Sequence, residues 1–163
     1  MLVRPLDTDL MSPDMKEWTF RLRTEPMFLP DVYRDVRRMT DAILLVFSNP
    51  LTQTPQAIVQ PDGRLCGVFY VGDIVPEHEA TFYLWSWDGA VTPDTARAMT
   101  DYIDVSAKSY ALRRITCRTP DERLGAVLER LLGFSQEGRF KFGFRWSGKL
   151  MTLYQYRILR REG

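Results

Sequence analysis

Histidine is almost missing from this chain: His78 is the only one among 163 residues. A single imidazole rules out a histidine-rich metal centre, and in the polar stretch Pro76-Glu77-His78-Glu79 it reads as a loop residue. Cysteine is equally scarce. Cys66 and Cys117 form no CxxC pair, and each sits inside an apolar, strand-like run. They read as buried thiols in a reducing compartment, not as metal ligands or a disulfide. Charge of either sign is not in excess either, since 22 basic and 21 acidic residues leave a net +1. That balance removes the electrostatic case for a dedicated nucleic-acid binder. No apolar run approaches the roughly 20 residues that a membrane span requires. Met1-Leu2-Val3-Arg4-Pro5 lacks the apolar core of a signal peptide, so a cytoplasmic protein with no membrane partner is expected. There is no repeat, low-complexity segment or linker, and 45% of residues are hydrophobic. One domain over residues 1–163 with a real core follows.

What is present is a clear succession of elements. Leu2 to Leu6 reads as a strand. Ser12-Pro13-Asp14 reads as a helix start, with a serine cap and proline at the first helical position. Asp31 is expected to cap a second helix, because Val32, Val36, Met39, Ile43 and Phe47 recur at helical spacing. Gln56 to Gln60 and Leu65 to Val71 form a hairpin about Pro61-Asp62-Gly63-Arg64, and Gly72-Asp73 with Pro76-Glu77 is read as the next turn. The aromatic strand Ala80 to Trp87 follows. Then come a helix from Pro93 to about Tyr110 and a strand from Arg113 to Arg118. Thr119-Pro120-Asp121-Glu122 is read as opening a further helix, capped by Thr119 and closed by Gly133. Phe140, Phe142, Phe144 and Trp146 alternate with polar residues, the pattern of a half-buried strand, and Leu150 to Leu159 returns after Ser147-Gly148. Arg157, Arg160 and Arg161 make a basic C-terminal end. The order β-α-α-β-β-β-α-β-α-β-β predicts a mixed α/β sheet with helices on both faces.

The stretch from Glu79 to Tyr110 organises the rest. An aromatic strand stops at Asp88-Gly89-Ala90-Val91-Thr92 and feeds a helix N-terminus at Pro93-Asp94-Thr95. The first N–H groups of a helix lack intrahelical partners and carry partial positive charge, which makes such a junction an anion site. Two features work against an anion here. Pro93 has no N–H, and Asp88 and Asp94 are themselves negative.

This order of elements resembles the GNAT superfamily of N-acetyltransferases. The local likeness is strongest in Arg114-Ile115, Leu132-Gly133-Phe134, Glu137-Gly138-Arg139, Ser147-Gly148-Lys149 and Tyr154-Gln155-Tyr156-Arg157-Ile158-Leu159, and is similar to the branch that acetylates the N-termini of ribosomal proteins. The resemblance implies a GNAT-like, mostly antiparallel sheet of about seven strands flanked by about four helices. It implies acetyl-CoA as co-substrate, held between the fourth and fifth strands by the backbone of Trp85, Ser86 and Trp87. Amides from Gly89, Ala90, Val91, Thr92, Asp94 and Thr95 would face its pyrophosphate. It implies Glu79 as the base that takes the proton of an attacking amine, with Glu77 next in line. Two departures stand out. The family's glycine-rich phosphate loop is reduced to Gly89, and the helix after Pro120 contains no tyrosine to serve as an acid.

Two readings follow. The chain is an N-acyltransferase acting on a primary amine, either a peptide N-terminus or a small molecule. Alternatively it is an inactive member of that fold serving as an interaction or structural component. The aromatic hairpin from Phe140 to Tyr156 offers an edge along which two copies could pair as a homodimer.

Overall fold

Among the described residues, 1–160, seven strands and four helices occur in the expected order. They are β1 (Leu2–Pro5), α1 (Pro13–Thr24), α2 (Val36–Ser48), β2 (Gln56–Val59), β3 (Leu65–Val75), β4 (Glu79–Ser86), α3 (Pro93–Tyr110), β5 (Arg114–Thr119), α4 (Glu122–Leu131), β6 (Ser135–Trp146) and β7 (Lys149–Leu159), with one 3-10 turn at Asp31–Tyr33. In this computed structural model the strands make a single sheet in the order β1-β2-β3-β4-β5-β7-β6. Only the β4–β5 pair is parallel, because α3 crosses between them. Arg161 of the basic end lies outside the described residues. Among the described residues no helix is long and apolar enough to cross a membrane.

Capping explains most of the helix starts. The Ser12 hydroxyl accepts from the Met15 N–H at 3.1 Å and opens α1. Thr92 and Thr95 cap each other reciprocally at the head of α3. Two starts differ from expectation. Asp35, not Asp31, caps α2, accepting from Arg37 N and Arg38 N. Asp121 caps α4, accepting from Arg123 N at 2.9 Å, while Thr119 remains the last residue of β5. The ladder explains that shift, since Thr119 pairs with Tyr154 of β7 and is held extended.

Two strand expectations also change. Gly72-Asp73 is not a turn. β3 continues to Val75 through a bulge between Gly72 and Val75, with Asp73 in the left-handed region at φ 50°. β6 is the sheet's edge, and its ladder slips between Phe140 and Phe144. The slip breaks the alternation and leaves Phe142 at φ 59° and 68% exposed, not half-buried.

The sheet separates two layers. Met99 and Ile103 of α3 and Leu128 of α4 bury against one face, where Phe69 and Phe82 meet and Phe82 stacks on Phe134. Trp18 of α1 and Phe47 of α2 cover the other face, against Tyr70, Tyr83 and Trp85. The motifs that carried the family resemblance hold this frame together. Gly133 takes φ 75° just past α4 and sends buried Phe134 into the core. Glu137 gathers Arg114 of β5 with Gln155 and Arg157 of β7. Gly125 lets the Tyr156 hydroxyl lie against α4, where any Cβ would collide with it. Cys66 and Cys117 are free, buried thiols, and burial pushes Cys117 up to about 12.

Candidate active site

β4 and β5 begin side by side and then part. They pair at Glu79 with Arg114, Ala80 with Ile115 and Thr81 with Thr116, and no further. β4 runs on from Phe82 to Ser86 with only β3 beside it, and β5 runs on from Cys117 to Thr119 with only β7. Alternate residues of a strand turn their N–H and C=O groups to each side. The far half of β4 therefore presents unpaired backbone groups to a gap in the middle of the sheet. Such groups demand a partner, whether water or an amide-bearing ligand.

The gap opens into a cavity of about 540 Å³ that every residue from Thr81 to Ser86 borders. Trp18 and Leu22 of α1, Met39, Ile43 and Val46 of α2, and Phe28 from the segment between them form one wall. Phe144 and Leu153 of the β6–β7 hairpin bound the cavity as well, as do Asp121 and Leu124 at the head of α4. The segment between α1 and α2 is fixed from both ends. Trp85 Nε1 donates to the Phe28 carbonyl at 3.1 Å. Asp31 accepts from Ser147 N at 2.7 Å and Gly148 N at 2.9 Å at the tip of the hairpin, while Arg34 lies over the Trp146 ring. Those two backbone bonds, the one to Gly148 foremost, hold the Asp31 carboxyl below its usual range.

The cavity holds one notable polar pair. The Tyr83 hydroxyl donates to the Asp73 carboxylate. Tyr83 stacks on its cross-strand partner Tyr70 at 4.8 Å and on Trp85 at 5.9 Å. Burial first, and then the bond to Asp73, push the Tyr83 phenol well above its ordinary value, so it stays protonated and keeps donating. The β3 bulge is what turns Asp73 toward the cavity.

The residues singled out from the sequence fall into two groups. Trp85 and Ser86 line the cavity, and Trp87 is buried just beyond, with its Nε1 donating to the Leu65 carbonyl. Gly89, Ala90, Val91, Thr92, Asp94 and Thr95 form the β4–α3 junction, outside the cavity lining. There the Thr95 N–H is taken by Thr92, and its hydroxyl donates to the Ala90 carbonyl. The N–H groups of Gly89, Val91 and Asp94 have no acceptor among the described residues. Asp88 is turned aside toward Arg21 of α1, 3.8 Å away, so its charge is offset. The junction thus keeps backbone donors for an anion, and the gap keeps a strand edge for an extended chain. Both fit the parts of a coenzyme A.

Glu79 lies at the closed end of the β4–β5 pair. It is exposed, 3.8 Å from Arg114, and not part of the cavity lining; Glu77 and His78 are exposed in the preceding turn. Sequence reasoning passed over Asp73, because a Gly-Asp pair between apolar runs looks like a turn. It also had no signal for the bond from Asp31 to the hairpin, which joins residues far apart in the chain. No tyrosine lies in α4, but β7 brings two beside it. Tyr154 donates to Glu122 at 2.6 Å, and Tyr156 packs on Gly125.

No protein-family model and no curated protein sequence matches this chain. Solved structures do. A spermidine N-acetyltransferase from Vibrio cholerae, in complex with CoA and spermine, superposes with a TM-score of 0.71 at 16% identity, covering 97% of this chain and 94% of that one. A ribosomal-protein-S5-alanine acetyltransferase from Vibrio fischeri gives 0.70 at 18% identity, covering 96% and 91%. A probable acetyltransferase gives 0.59 at 21%, covering 80% and 73%. At such identities the likeness establishes the fold, and the fold is the GNAT-like one that the order of elements predicts.

Proposed function

We propose that this chain is an acyl-CoA-dependent N-acyltransferase, a single catalytic domain that moves an acetyl group from acetyl-CoA to a primary amine. The observation that carries this reading is the parting of β4 from β5 after Thr81 and Thr116, with an open cavity at the gap. A fold that had lost its coenzyme would have no use for a vacant strand edge, which is costly to leave unpaired in a sheet's interior. The shared fold with acetyltransferases, one of them solved with CoA, points the same way.

In this reading the amides of the pantetheine arm bond the backbone along Trp85, Ser86 and Trp87. The free N–H groups of Gly89, Val91 and Asp94, with the positive end of α3 behind them, face the pyrophosphate. The thioester then reaches the cavity, and the acceptor amine enters from the α1–α2 side. The amine nitrogen attacks the thioester carbonyl, a C–N bond replaces the C–S bond, and coenzyme A leaves as the thiolate. Asp73 takes the proton that the amine sheds, and Tyr83 orients that carboxylate. Glu79, at the closed end of the strand pair, is the second candidate for the base. The free, buried cysteines suit the cytoplasm. Two copies could pair along the exposed β6 edge at Phe140 and Phe142.

Thermal denaturation with and without acetyl-CoA tests the reading. Ligand at a hundred times its dissociation constant should add about 2.7 kcal/mol, and addition of an acceptor amine should release thiol. An unchanged melting temperature at millimolar acetyl-CoA would overturn it.

A further inference from the structure

The charges facing the cavity limit what acceptor it can hold. Among the described residues, and apart from phenols, three ionisable side chains line it: Asp73, Arg118 and Asp121. Arg118 is engaged elsewhere, since its Nε donates to the Gln155 side chain at 2.7 Å and its guanidinium lies over the Phe140 ring. Asp121 is engaged as the cap of α4. Asp73 alone has no cation or cap among the described residues, and accepts only the neutral Tyr83 phenol. With Asp73 and Asp121 negative and Arg118 positive, the lining carries one net negative charge, which matches one ammonium group. The wall on the α1–α2 side is apolar, with Trp18, Phe28, Met39, Ile43, Val46 and Trp85. A second ammonium placed there would lose its hydration with no partner to replace it. An aromatic body would instead meet the stacked rings of Tyr70, Tyr83 and Trp85, where ring contacts add to the gain from burial.

Length is limited too. The bonds from Asp31 to the hairpin tip tie together the two segments that bound the cavity, Pro30 and Tyr33 on one side and Phe144 on the other. A tied rim suits a small molecule better than a polypeptide that must run on past it.

Resting on the acyltransferase reading above, we propose that the acceptor is a small primary monoamine with an aromatic body, of the arylalkylamine class, and not a polyamine or a protein N-terminus. The ammonium sits at Asp73 and the ring lies against Trp18, Tyr83 and Trp85.

Calorimetric titration of the intact chain with 2-phenylethylamine, spermidine and an alanyl tripeptide reads acceptor binding without any need for acetyl-CoA. Its outcome is thus separate from the acetyl-CoA melting test. Phenylethylamine should bind at least about tenfold more tightly than either of the others, a difference of roughly 1.4 kcal/mol. Equal or tighter binding of spermidine or the peptide overturns the inference, and so does no binding of phenylethylamine at millimolar concentration. A charge variant guards against accident. Tyr33 borders the cavity and is 40% exposed, so Tyr33→Asp adds a further carboxylate without disturbing the core. It should raise spermidine binding relative to phenylethylamine by about tenfold. An unchanged ratio would count against charge as the basis of selection.

Discussion

The two faces of β4 carry the same kind of residue to different ends. On one face Ala80, Phe82 and Leu84 are buried, and the layer is filled, with Phe82 between Phe69 and Phe134. On the other face Thr81, Tyr83 and Trp85 are only half-buried, and their rings border a cavity. Composition does not separate the faces, since both are aromatic. What differs is the cover. α3 and α4 lie close on the first face. α1 and α2 stand over the second with a proline-bounded segment between them, braced on Trp85 and the hairpin. A filled aromatic layer stabilises; a hollow one of similar chemistry can bind.

Phe82→Ala should show the largest loss of stability, about 3–5 kcal/mol in a urea titration, because it empties a closed site. Tyr83→Phe on the other face should cost about 1 kcal/mol or less. Equal losses would mean that the second face is packed as tightly as the first. In activity the order reverses. Asp73→Asn should lower kcat/KM for an amine by about a hundredfold or more with little change in melting temperature. Glu79→Gln serves as the paired control, and a larger loss there than at Asp73 would move the base to the closed end of β4. Gly125→Ala sharpens the claim about the filled face. The new methyl collides with the Tyr156 hydroxyl, so a loss of about 1–3 kcal/mol is expected.

Smaller effects test the frame around both faces. Arg4 grips Asp14 through bonds of 2.6 and 2.8 Å, and Asp7 N adds a third at 3.0 Å. The Arg4 bond foremost, with help from Asp7 N, holds the Asp14 carboxyl below its ordinary value of 3.8. A depressed folded value means that the unfolded chain binds the proton more readily. The stabilisation is therefore complete above pH 3.8 and drains away as pH falls through the folded value. Asp14→Asn should cost about 1–3 kcal/mol at pH 7, and the gap to the wild type should narrow below pH 4. Last, burial raises both thiols. Neither Cys66 nor Cys117 should react with a disulfide reagent at pH 8 until the chain is unfolded; fast modification of the native protein would contradict their burial.

Local chemistry was legible where it is local. Ser12-Pro13, Thr92-Pro93 and Gly133 set helix ends through contacts within a few residues, and the ends of α1, α3 and α4 lie there or close by. The apolar periodicities, with the caps and prolines, placed the strands and helices in order, but α2 starts at Val36, about a turn later than expected, and β3 runs on to Val75. The errors have a common cause in contacts distant in sequence. Thr119 was expected to cap α4 and is held instead by β7. Asp31 was expected to cap α2 and serves the hairpin tip. Gly72-Asp73 looked like a turn, and the β4 ladder carries it on as a bulged strand.

By itself the sequence determined the order of elements, the single-sheet architecture they imply and the junction of β4 with α3, because capping, alternation and helical spacing act over one or two turns of chain. Tertiary structure alone decided that β4 and β5 part after Thr81, that Asp73 rather than Glu79 borders the cavity, and that Asp31 ties its rim. Those outcomes depend on which distant strands and loops meet. A carboxylate's neighbours across a sheet leave no periodic mark in the chain that carries it.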